Sequence, residues 1–152
     1  MSSVNLKPVL YVEDDENDVF FMQKVWKTLA LPNPLEIVRD GKEAVDYFSA
    51  EPTQPANLSL ILLDLNLPRQ PGLDVLKWIR EQPRLCTLPI LILTSSSHDR
   101  DVHRAYRLGA NAYLLKPPQA KDLNGLVKQI SDFWLQRNQP PPDPREFETN
   151  PT

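Results

Sequence analysis

Residues that commonly build disulfides and metal centres are scarce in this sequence. Cysteine occurs once, as Cys86, and histidine twice, as His98 and His103. A single cysteine excludes an internal disulfide and a cysteine-rich zinc site, and histidines five residues apart are poorly spaced to share a metal ion. Only four of the 152 residues are glycine, which argues against a glycine-rich phosphate-binding loop.

Strong net charge and long apolar runs are also missing. Seventeen basic and 20 acidic residues give a formal net charge of −3, so no basic field large enough to hold nucleic acid is expected. No apolar run approaches the roughly 20 residues of a membrane span, and the N-terminus lacks the apolar stretch of a signal peptide. These absences predict a cytoplasmic protein that binds neither nucleic acid nor membranes.

Proline, in contrast, is abundant, and five of the 16 prolines follow Asn138. We predict a Pro-rich C-terminal tail over residues 138–152, with polyproline II character around Pro140–Pro142. The tail is either an unstructured terminus or a segment that packs on a partner with Phe147 as its anchor. It is too short for a helix-turn-helix DNA-binding domain, so output is expected to travel by protein contact.

Residues 1–137 show the pattern of one folded domain, in which short apolar runs alternate with stretches of helical spacing. The runs, which suit buried strands of a parallel sheet, are Val9–Val12, Leu35–Val38, Leu60–Leu63, Ile90–Leu93 and Tyr113–Leu115. The order βαβαβαβαβα predicts an α/β fold with a doubly wound, five-stranded parallel sheet. Five helices would cover both faces of the sheet through right-handed crossovers.

The five predicted helices follow from apolar residues three or four positions apart. In chain order these positions are Val19, Met22, Trp26 and Leu29; Ala44, Val45, Tyr47 and Phe48; Leu73, Leu76 and Ile79; Val102, Ala105 and Tyr106; and Leu123, Leu126, Val127, Ile130, Phe133 and Trp134. Asp40–Gly41 opens the second and weakest helix. Gly109 occupies the place of a C-cap glycine after the fourth.

Chemically useful side chains follow four of the five predicted strands. They are Glu13, Asp14 and Asp15 after the first strand, Asp64 after the third, Thr94 at the end of the fourth and Lys116 after the fifth. Each has a simpler interpretation alone, because acids favour helix N-termini and a lone lysine or threonine is commonly solvated. In an open parallel sheet, however, the working site lies beyond the carboxyl ends of the strands, so their joint placement favours one shared site.

Carboxylates brought together at such a site repel one another and resist ionisation. Two remedies are available in this sequence. A hard divalent cation such as Mg²⁺ binds oxygen ligands of this kind, and the ammonium group of Lys116 neutralises part of the charge.

Taken in order, these segments resemble the receiver domains of two-component response regulators. The resemblance covers residues 7–136 and rests on VEDD at 12–15, LLDLNLPRQPG at 62–72, LT at 93–94 and YLLKP at 113–117. Each motif is weak alone, and together they are specific. Three further segments are most similar to the stand-alone receivers that serve bacterial, especially cyanobacterial, phytochromes: DLNLP at 64–68, TSSSHDRDV at 94–102 and the FW pair at 133–134.

The resemblance implies a flavodoxin-like fold with strand order 2-1-3-4-5 and a phosphoacceptor site. By the family pattern, Asp64 would be the acceptor of a phosphoryl group from a phosphohistidine on a sensor histidine kinase. Thr94 and Lys116 would contact the phosphoryl oxygens. The ligands of Mg²⁺ would be Glu13, Asp14, Asp64 and the main-chain carbonyl of Asn66.

The resemblance also implies a switch formed by Thr94 and Tyr113. Thr94 would be drawn towards the phosphoryl oxygens, which vacates space for Tyr113 to rotate inward. The Lys116–Pro117 bond is expected to be cis, as in most relatives. Glu13 departs from the commonest family pattern by replacing the first aspartate of the acidic pair, and we expect only Mg²⁺ affinity to change.

Partner surfaces are less clearly marked in the sequence. Candidate interface residues are His98, Arg104, Tyr106, Tyr113 and Phe147. Many receivers form symmetric dimers between the fourth and fifth helices, so a homodimer is expected, although the same charged helix also suits solvent. Trp78 and Trp134 are candidates either for exposed anchors or for core packing.

The leading hypothesis is therefore a single-domain response regulator, not an enzyme. It would receive its signal from a sensor histidine kinase, with a phytochrome as the candidate, and pass the signal to a downstream protein. The alternative is an adaptor receiver that works without phosphorylation, and the complete set of site residues argues against it. A Mg²⁺-dependent phosphatase of this fold would carry two aspartates two positions apart, whereas position 66 is Asn. The sequence names neither the signal nor the target.

Overall fold

A five-stranded parallel sheet forms the centre of the computed structural model, which describes residues 6–50 and 57–142. The strands are Val9–Val12 (β1), Leu35–Val38 (β2), Leu60–Leu63 (β3), Ile90–Thr94 (β4) and Ala112–Leu115 (β5), in the order β2-β1-β3-β4-β5. The doubly wound sheet and its order are confirmed. Only β4 and β5 differ from the predicted bounds, each by one residue.

Five α-helices connect and follow the strands, as predicted. They are Glu16–Thr28 (α1), Gly41–Ala50 (α2), Gly72–Glu81 (α3), Asp99–Arg107 (α4) and Leu123–Ile130 (α5). A 3₁₀ turn, Ala120–Asp122, leads into α5, and a π-helical segment, Ser131–Arg137, continues it. No helix in the described ranges has both the length and the apolar character needed to cross a membrane.

The sheet separates two apolar cores. One face packs against α2, α3 and α4 through side chains such as Phe48, Leu76 and Ala105. The other face packs against α1 and α5 through side chains such as Trp26 and Val127. All residues of the three central strands are buried, whereas the edge strands β2 and β5 are mostly half-buried. The continuous apolar runs therefore mark the strands that are covered on both faces.

Two helix ends show how single residues begin or end a helix. Asp15 caps α1, because its Oδ1 accepts hydrogen bonds from the N–H groups of Asn17 (2.9 Å) and Asp18 (3.1 Å). This satisfies donors that a helix N-terminus leaves free. Gly109, at φ 108°, ends α4 in the left-handed conformation that glycine tolerates. Of the run Glu13-Asp14-Asp15, the third residue is thus the helix cap, which leaves the first two for the site.

The end of the last helix departs from the sequence pattern. Phe133 was expected to share the apolar face of the helix, but it is 52% exposed, while Trp134 packs on the core. The i→i+5 bonding of a π-helix puts more than 3.6 residues in a turn, so the apolar spacing read for an α-helix fails after Ser131. Beyond this segment, Pro140–Pro142 line a small pocket together with Leu58, Arg84 and Thr87–Pro89. The predicted boundary after residue 137 stays a prediction.

Candidate functional site

Three carboxylates converge at the carboxyl end of the sheet. Glu13, Asp14 and Asp64 each offer one oxygen, and these oxygens all lie within 4.8 Å of one another. Glu13 is 0% and Asp64 3% exposed, whereas Asp14 is exposed to solvent. Asp14 and Asp64, which are 50 positions apart along the chain, meet here because β1 and β3 are neighbours, paired from Val9 with Leu60 to Val12 with Leu63.

Lys116 brings the positive charge into this carboxylate cluster. Its Nζ donates hydrogen bonds to Oε1 of Glu13, to Oδ2 of Asp18 (2.7 Å) and to Oδ2 of Asp64 (3.0 Å). A lysine ammonium has three N–H donors, so each donor has a different carboxylate as its acceptor. Burial works to lower the pKa of Lys116, but the hydrogen bonds to Asp18 and Glu13 outweigh it, and the net pKa is raised.

The predicted cis bond after Lys116 is wrong for this structure. No peptide bond among the described residues is cis, and trans is the intrinsically preferred form of an X–Pro bond. The backbone N–H of Lys116 donates to the carbonyl of Thr94 (2.9 Å), which extends the β4–β5 pairing by one residue. The long side chain reaches Asp64 from that position.

Glu13 is the most deeply buried member of the cluster, and Tyr11 helps to hold it. The Tyr11 hydroxyl donates to Glu13 Oε1 at 3.1 Å, the same oxygen that accepts from Lys116. Burial and the neighbouring Asp64 raise the pKa of Glu13, while Lys116 opposes that change. Burial, followed by the charge of Glu13, raises the pKa of Tyr11, so its hydroxyl stays a proton donor at neutral pH.

Asp18 is a member of the site that the sequence reasoning missed. It lies in the first turn of α1, and its side chain is 38% exposed. The available signal was its position in the first turn of α1, the helix that directly follows Glu13 and Asp14. Asp18 links α1 to the end of β5 through the ammonium group of Lys116.

Ser96 joins the two residues of the predicted switch. Its N–H approaches Thr94 Oγ1 at 3.5 Å, and its carbonyl accepts a hydrogen bond from the Tyr113 hydroxyl at 2.8 Å. Its own hydroxyl donates to Asp101 Oδ2 at 2.6 Å. Thr94 is fully buried, and Tyr113 is half-buried. A displacement of Thr94 would therefore reach Tyr113 and α4 through one loop residue, although the switching role itself stays a prediction.

The donor set fits a hard divalent cation. Carboxylate oxygens are the ligands that Mg²⁺ and Mn²⁺ take in proteins, and Glu13, Asp14 and Asp64 supply three of them. Asn66 lies two residues after Asp64, and its N–H donates to Asp64 Oδ1 at 3.2 Å. This hydrogen bond orients the Asp64 carboxylate. The role of the Asn66 carbonyl as a ligand stays a prediction.

Comparison with known proteins decides the family. A model described as the response regulator receiver domain matches residues 9–128. The chain belongs to the response regulator receiver family. Receiver domains bind a divalent metal, in agreement with the carboxylate cluster. They are signalling modules and are not typically enzymes.

Individual receivers resemble this one over nearly their whole length. Response regulator Rcp1 of Synechocystis sp. is 39% identical over 132 residues, covering 86% of this chain and 90% of that protein. The probable methanogenesis regulatory protein FilR2 of Methanothrix harundinacea is 36% identical over 134 residues, or 88% and 86% of the two chains.

Solved structures give the same result. The Mn²⁺-bound form of Rcp1 superposes with a TM-score of 0.80 at 38% identity, covering 90% of this chain and 99% of that one. The phosphorylated cyanobacterial phytochrome response regulator RcpA superposes with a TM-score of 0.83 at 34% identity, with the same coverage. The flavodoxin-like receiver fold and the resemblance to phytochrome-associated receivers are thereby confirmed.

The predicted interface residues of this receiver are scattered over α4 and its surroundings. His98 precedes α4, Arg104 and Tyr106 lie on α4, and all three are exposed. Trp78 and Trp134 pack against the cores, which favours core packing over exposed anchoring. Phe147 lies outside the described residues, so its interface role stays a prediction.

Divalent cations are expected to stabilise this receiver through the carboxylate cluster. Mg²⁺ at about one hundred times its dissociation constant would raise the free energy of unfolding by about 2.7 kcal/mol. Thermal denaturation with and without MgCl₂ measures the effect, and Asp14→Asn should reduce it. Asp46→Asn is the matched control, since Asp46 pairs with Lys42 on the exposed face of α2. Equal shifts in both variants would contradict a metal site at Asp14.

Proposed function

We propose that Asp64 is the phosphoacceptor of a single-domain response regulator. One observation carries the proposal: the Asp64 carboxylate is buried at the end of β3, with Oδ2 at 3.0 Å from the Lys116 ammonium and an oxygen within reach of the Glu13 and Asp14 carboxylates. Asn66 holds the other oxygen, Oδ1, at 3.2 Å. An acceptor carboxylate is thus oriented on both oxygens before a phosphodonor arrives.

The proposed reaction moves one phosphoryl group between two proteins. An Asp64 oxygen attacks phosphorus, the bond from phosphorus to an imidazole nitrogen of a kinase phosphohistidine breaks, and nitrogen leaves with the electron pair. The product is an acyl phosphate on Asp64. Such a transfer needs positioning and charge neutralisation more than covalent assistance, and Lys116 supplies a point charge beside the acceptor.

Mg²⁺ is the cation that we propose for Glu13, Asp14 and Asp64. When bound, it would neutralise charge on the carboxylates and the phosphoryl oxygens. The pKa of Glu13 is raised, which means that its ionised form is disfavoured in this buried cluster. A bound cation would stabilise the ionised form, and this supports a cation here. Thr94, fully buried at the end of β4, is the proposed hydroxyl contact to the phosphoryl group.

We infer that the upstream partner is a sensor histidine kinase of the phytochrome type. The support is the likeness to RcpA, which is named a phytochrome response regulator. Downstream, the signal would pass from Thr94 through Ser96 to Tyr113 and α4, and then to a protein partner. An adaptor that works without phosphorylation is the second candidate, and it would use the same α4 surface.

We also propose that the receiver forms a homodimer through α4 and β5. Tyr106 on α4 is 50% exposed and Leu115 on β5 is 49% exposed, and α4 packs beside β5, so both elements present apolar surface to a second copy of the chain. Sedimentation equilibrium of the wild type and of Tyr106→Ser should show a dimer that the substitution weakens. A monomer at all concentrations would contradict the dimer.

The phosphoacceptor proposal is tested with a small phosphodonor. Incubation with acetyl phosphate and MgCl₂ should add the mass of one phosphoryl group to the wild type, and chelation of Mg²⁺ should prevent it. Asp64→Asn should gain nothing, and the control Asp46→Asn should behave as the wild type. Failure of the wild type to gain mass would favour the adaptor, and continuous hydrolysis of phosphate esters would indicate an enzyme.

A further inference from the structure

Basic side chains form half of the lining of a groove between α3 and α4. Its volume is about 290 Å³, and its walls are formed by Leu73, Asp74, Lys77, Arg104, Arg107 and Leu108. Leu73 is buried and Leu108 is half-buried, so apolar side chains lie at the base of the groove while charged ones stand at the rim. Three cations and one anion leave the groove positive.

The basic surface continues beyond the groove along α4. Arg100, His103, Arg104 and Arg107 are spaced three and four residues apart, which puts them on one face of the helix. All four are exposed. Lys77 on α3 adds a fifth basic side chain beside this face. We call these five residues the α3–α4 basic surface.

The lysine and arginine side chains of this surface are not used by the fold. The ion pairs of the described residues involve Lys42, Arg69, Lys116 and Lys128. Within the same described ranges, no hydrogen bond or ion pair engages the side chains of Lys77, Arg100, Arg104 and Arg107. In a chain of net charge −3, a concentration of unpaired positive charge on one surface stands out.

Helix stability explains only part of this charge. Cations in the last turn, such as Arg104 and Arg107, interact favourably with the helix dipole. Arg100 lies in the first turn of α4, where the same dipole disfavours a cation, and Lys77 lies on a different helix. The arrangement therefore points to an external anion.

We propose that the α3–α4 basic surface binds an acidic segment of a partner protein that also carries apolar side chains. The apolar base formed by Leu73 and Leu108 fits leucine-sized anchors, and the surrounding cations fit carboxylates, as in helix-in-groove recognition. Nucleic acid fits less well, because a phosphate backbone has no apolar side chain to place on Leu73 and Leu108 at the base of the groove. The basic face extends beyond the groove for about one turn of α4, from Arg104 back to Arg100, which suits an elongated partner better than a compact anion.

This surface is separate from the proposed dimer face. Tyr106 follows Arg104 by two positions, which is about 200° around a helix, so the two side chains leave α4 in different directions. A partner could bind at Arg104 while a second receiver packs on Tyr106. The inference is independent of Asp64 phosphorylation, because binding is measured on the unphosphorylated protein.

The experiment uses a set of fluorescein-labelled peptides rich in glutamate, with two leucines spaced three, four or seven residues apart. Fluorescence anisotropy with the full chain measures affinity over a range of salt concentrations. The groove variant is Lys77→Glu with Arg104→Glu. The control is Lys24→Glu with Lys27→Glu, which reverses two exposed charges on α1. Lys77→Gln with Arg104→Gln is a milder version that tests the groove if charge reversal prevents folding.

At least one peptide should bind the wild-type chain, and its affinity should fall as the salt concentration rises. The affinity should be lower by about tenfold or more for the groove variant and unchanged for the control. Amide chemical shifts should change in α3 and α4. No binding by any peptide, or equal losses in groove and control variants, would overturn the proposal. Equal affinity for duplex DNA, or displacement of the peptide by millimolar inorganic phosphate, would also overturn it. Binding seen only after deletion of residues 143–152 would overturn it too, because the chain's own tail would then be the occupant.

Discussion

Replacement of Lys116 with methionine is expected to reduce the free energy of unfolding by about 3 kcal/mol at pH 8 without divalent cations. The ammonium group of Lys116 contacts the carboxylates of Glu13, Asp18 and Asp64. Glu13 is fully buried, so in this variant its carboxylate would be left without a neutralising cation and away from water. Urea denaturation followed by circular dichroism measures the loss. The same variant should accept phosphoryl groups slowly or not at all.

The loss of stability should depend on pH with a definite sign. The pKa of Glu13 is already raised above its usual value by burial and Asp64, and removal of Lys116 takes away the group that opposes that rise. A folded state that holds a proton more tightly than the unfolded state loses stability as pH increases. The variant should therefore lose stability as pH rises from about 4.3, the usual pKa of glutamate, through the raised pKa of Glu13.

A control and a double variant separate this effect from general damage. Lys128→Met removes an exposed ion pair with Asp132 and should cost about 0.5 kcal/mol or less. Addition of Glu13→Gln to Lys116→Met should flatten the pH dependence, because the titrating group is gone. A pH-independent loss in Lys116→Met that Glu13→Gln leaves unchanged would contradict the electrostatic explanation.

Gly72→Ala is expected to be the most damaging small substitution near the site. A Cβ atom at Gly72 would lie 2.1 Å from the carbonyl oxygen of Asp64 and 2.7 Å from Cα of Leu65. Both neighbours are backbone atoms, so the start of α3 or the end of β3 must move. Such overpacking costs about 3 kcal/mol, measurable by urea denaturation. The displacement of Asp64 should also slow phosphorylation by acetyl phosphate.

Gly125→Ala is the matched control for this substitution. Gly125 lies inside α5, and a Cβ atom there would meet nothing within 4 Å. Alanine is a better helix former than glycine, so Gly125→Ala should stabilise the protein by roughly 0.5–1 kcal/mol. Equal effects of the two substitutions would contradict the close approach of α3 to the Asp64 backbone.

The fold was predictable because buried parallel strands leave a strong record in sequence. The runs at Val9–Val12 and Leu60–Leu63 are continuous because both faces of those strands are covered. Side chains at the ends of such strands meet at one edge, which is why Glu13, Asp64 and Lys116 were expected together. The π-helical end of the last helix was not predictable, because apolar spacing assumes 3.6 residues per turn at Phe133.

The finer connections of the site depend on side-chain geometry that spacing does not encode. Asp18 was missed because an acid in the first turn of a helix has a sufficient explanation in the helix dipole. The hydrogen bonds of Ser96 to Thr94 and Tyr113 use its backbone groups, which every residue possesses. The α3–α4 basic surface forms only where two helices pack together that are separated by residues 82–98 of the chain.

The central claim is that phosphorylation occurs on the Asp64 carboxylate. The most direct measurement is reductive trapping: the receiver is incubated with acetyl phosphate and MgCl₂, treated with borohydride, digested and mapped by mass spectrometry. Borohydride reduces an aspartyl phosphate to homoserine. We expect homoserine at position 64 and nowhere else. Homoserine at Asp14, Asp18 or another carboxylate, with Asp64 intact, would contradict the account.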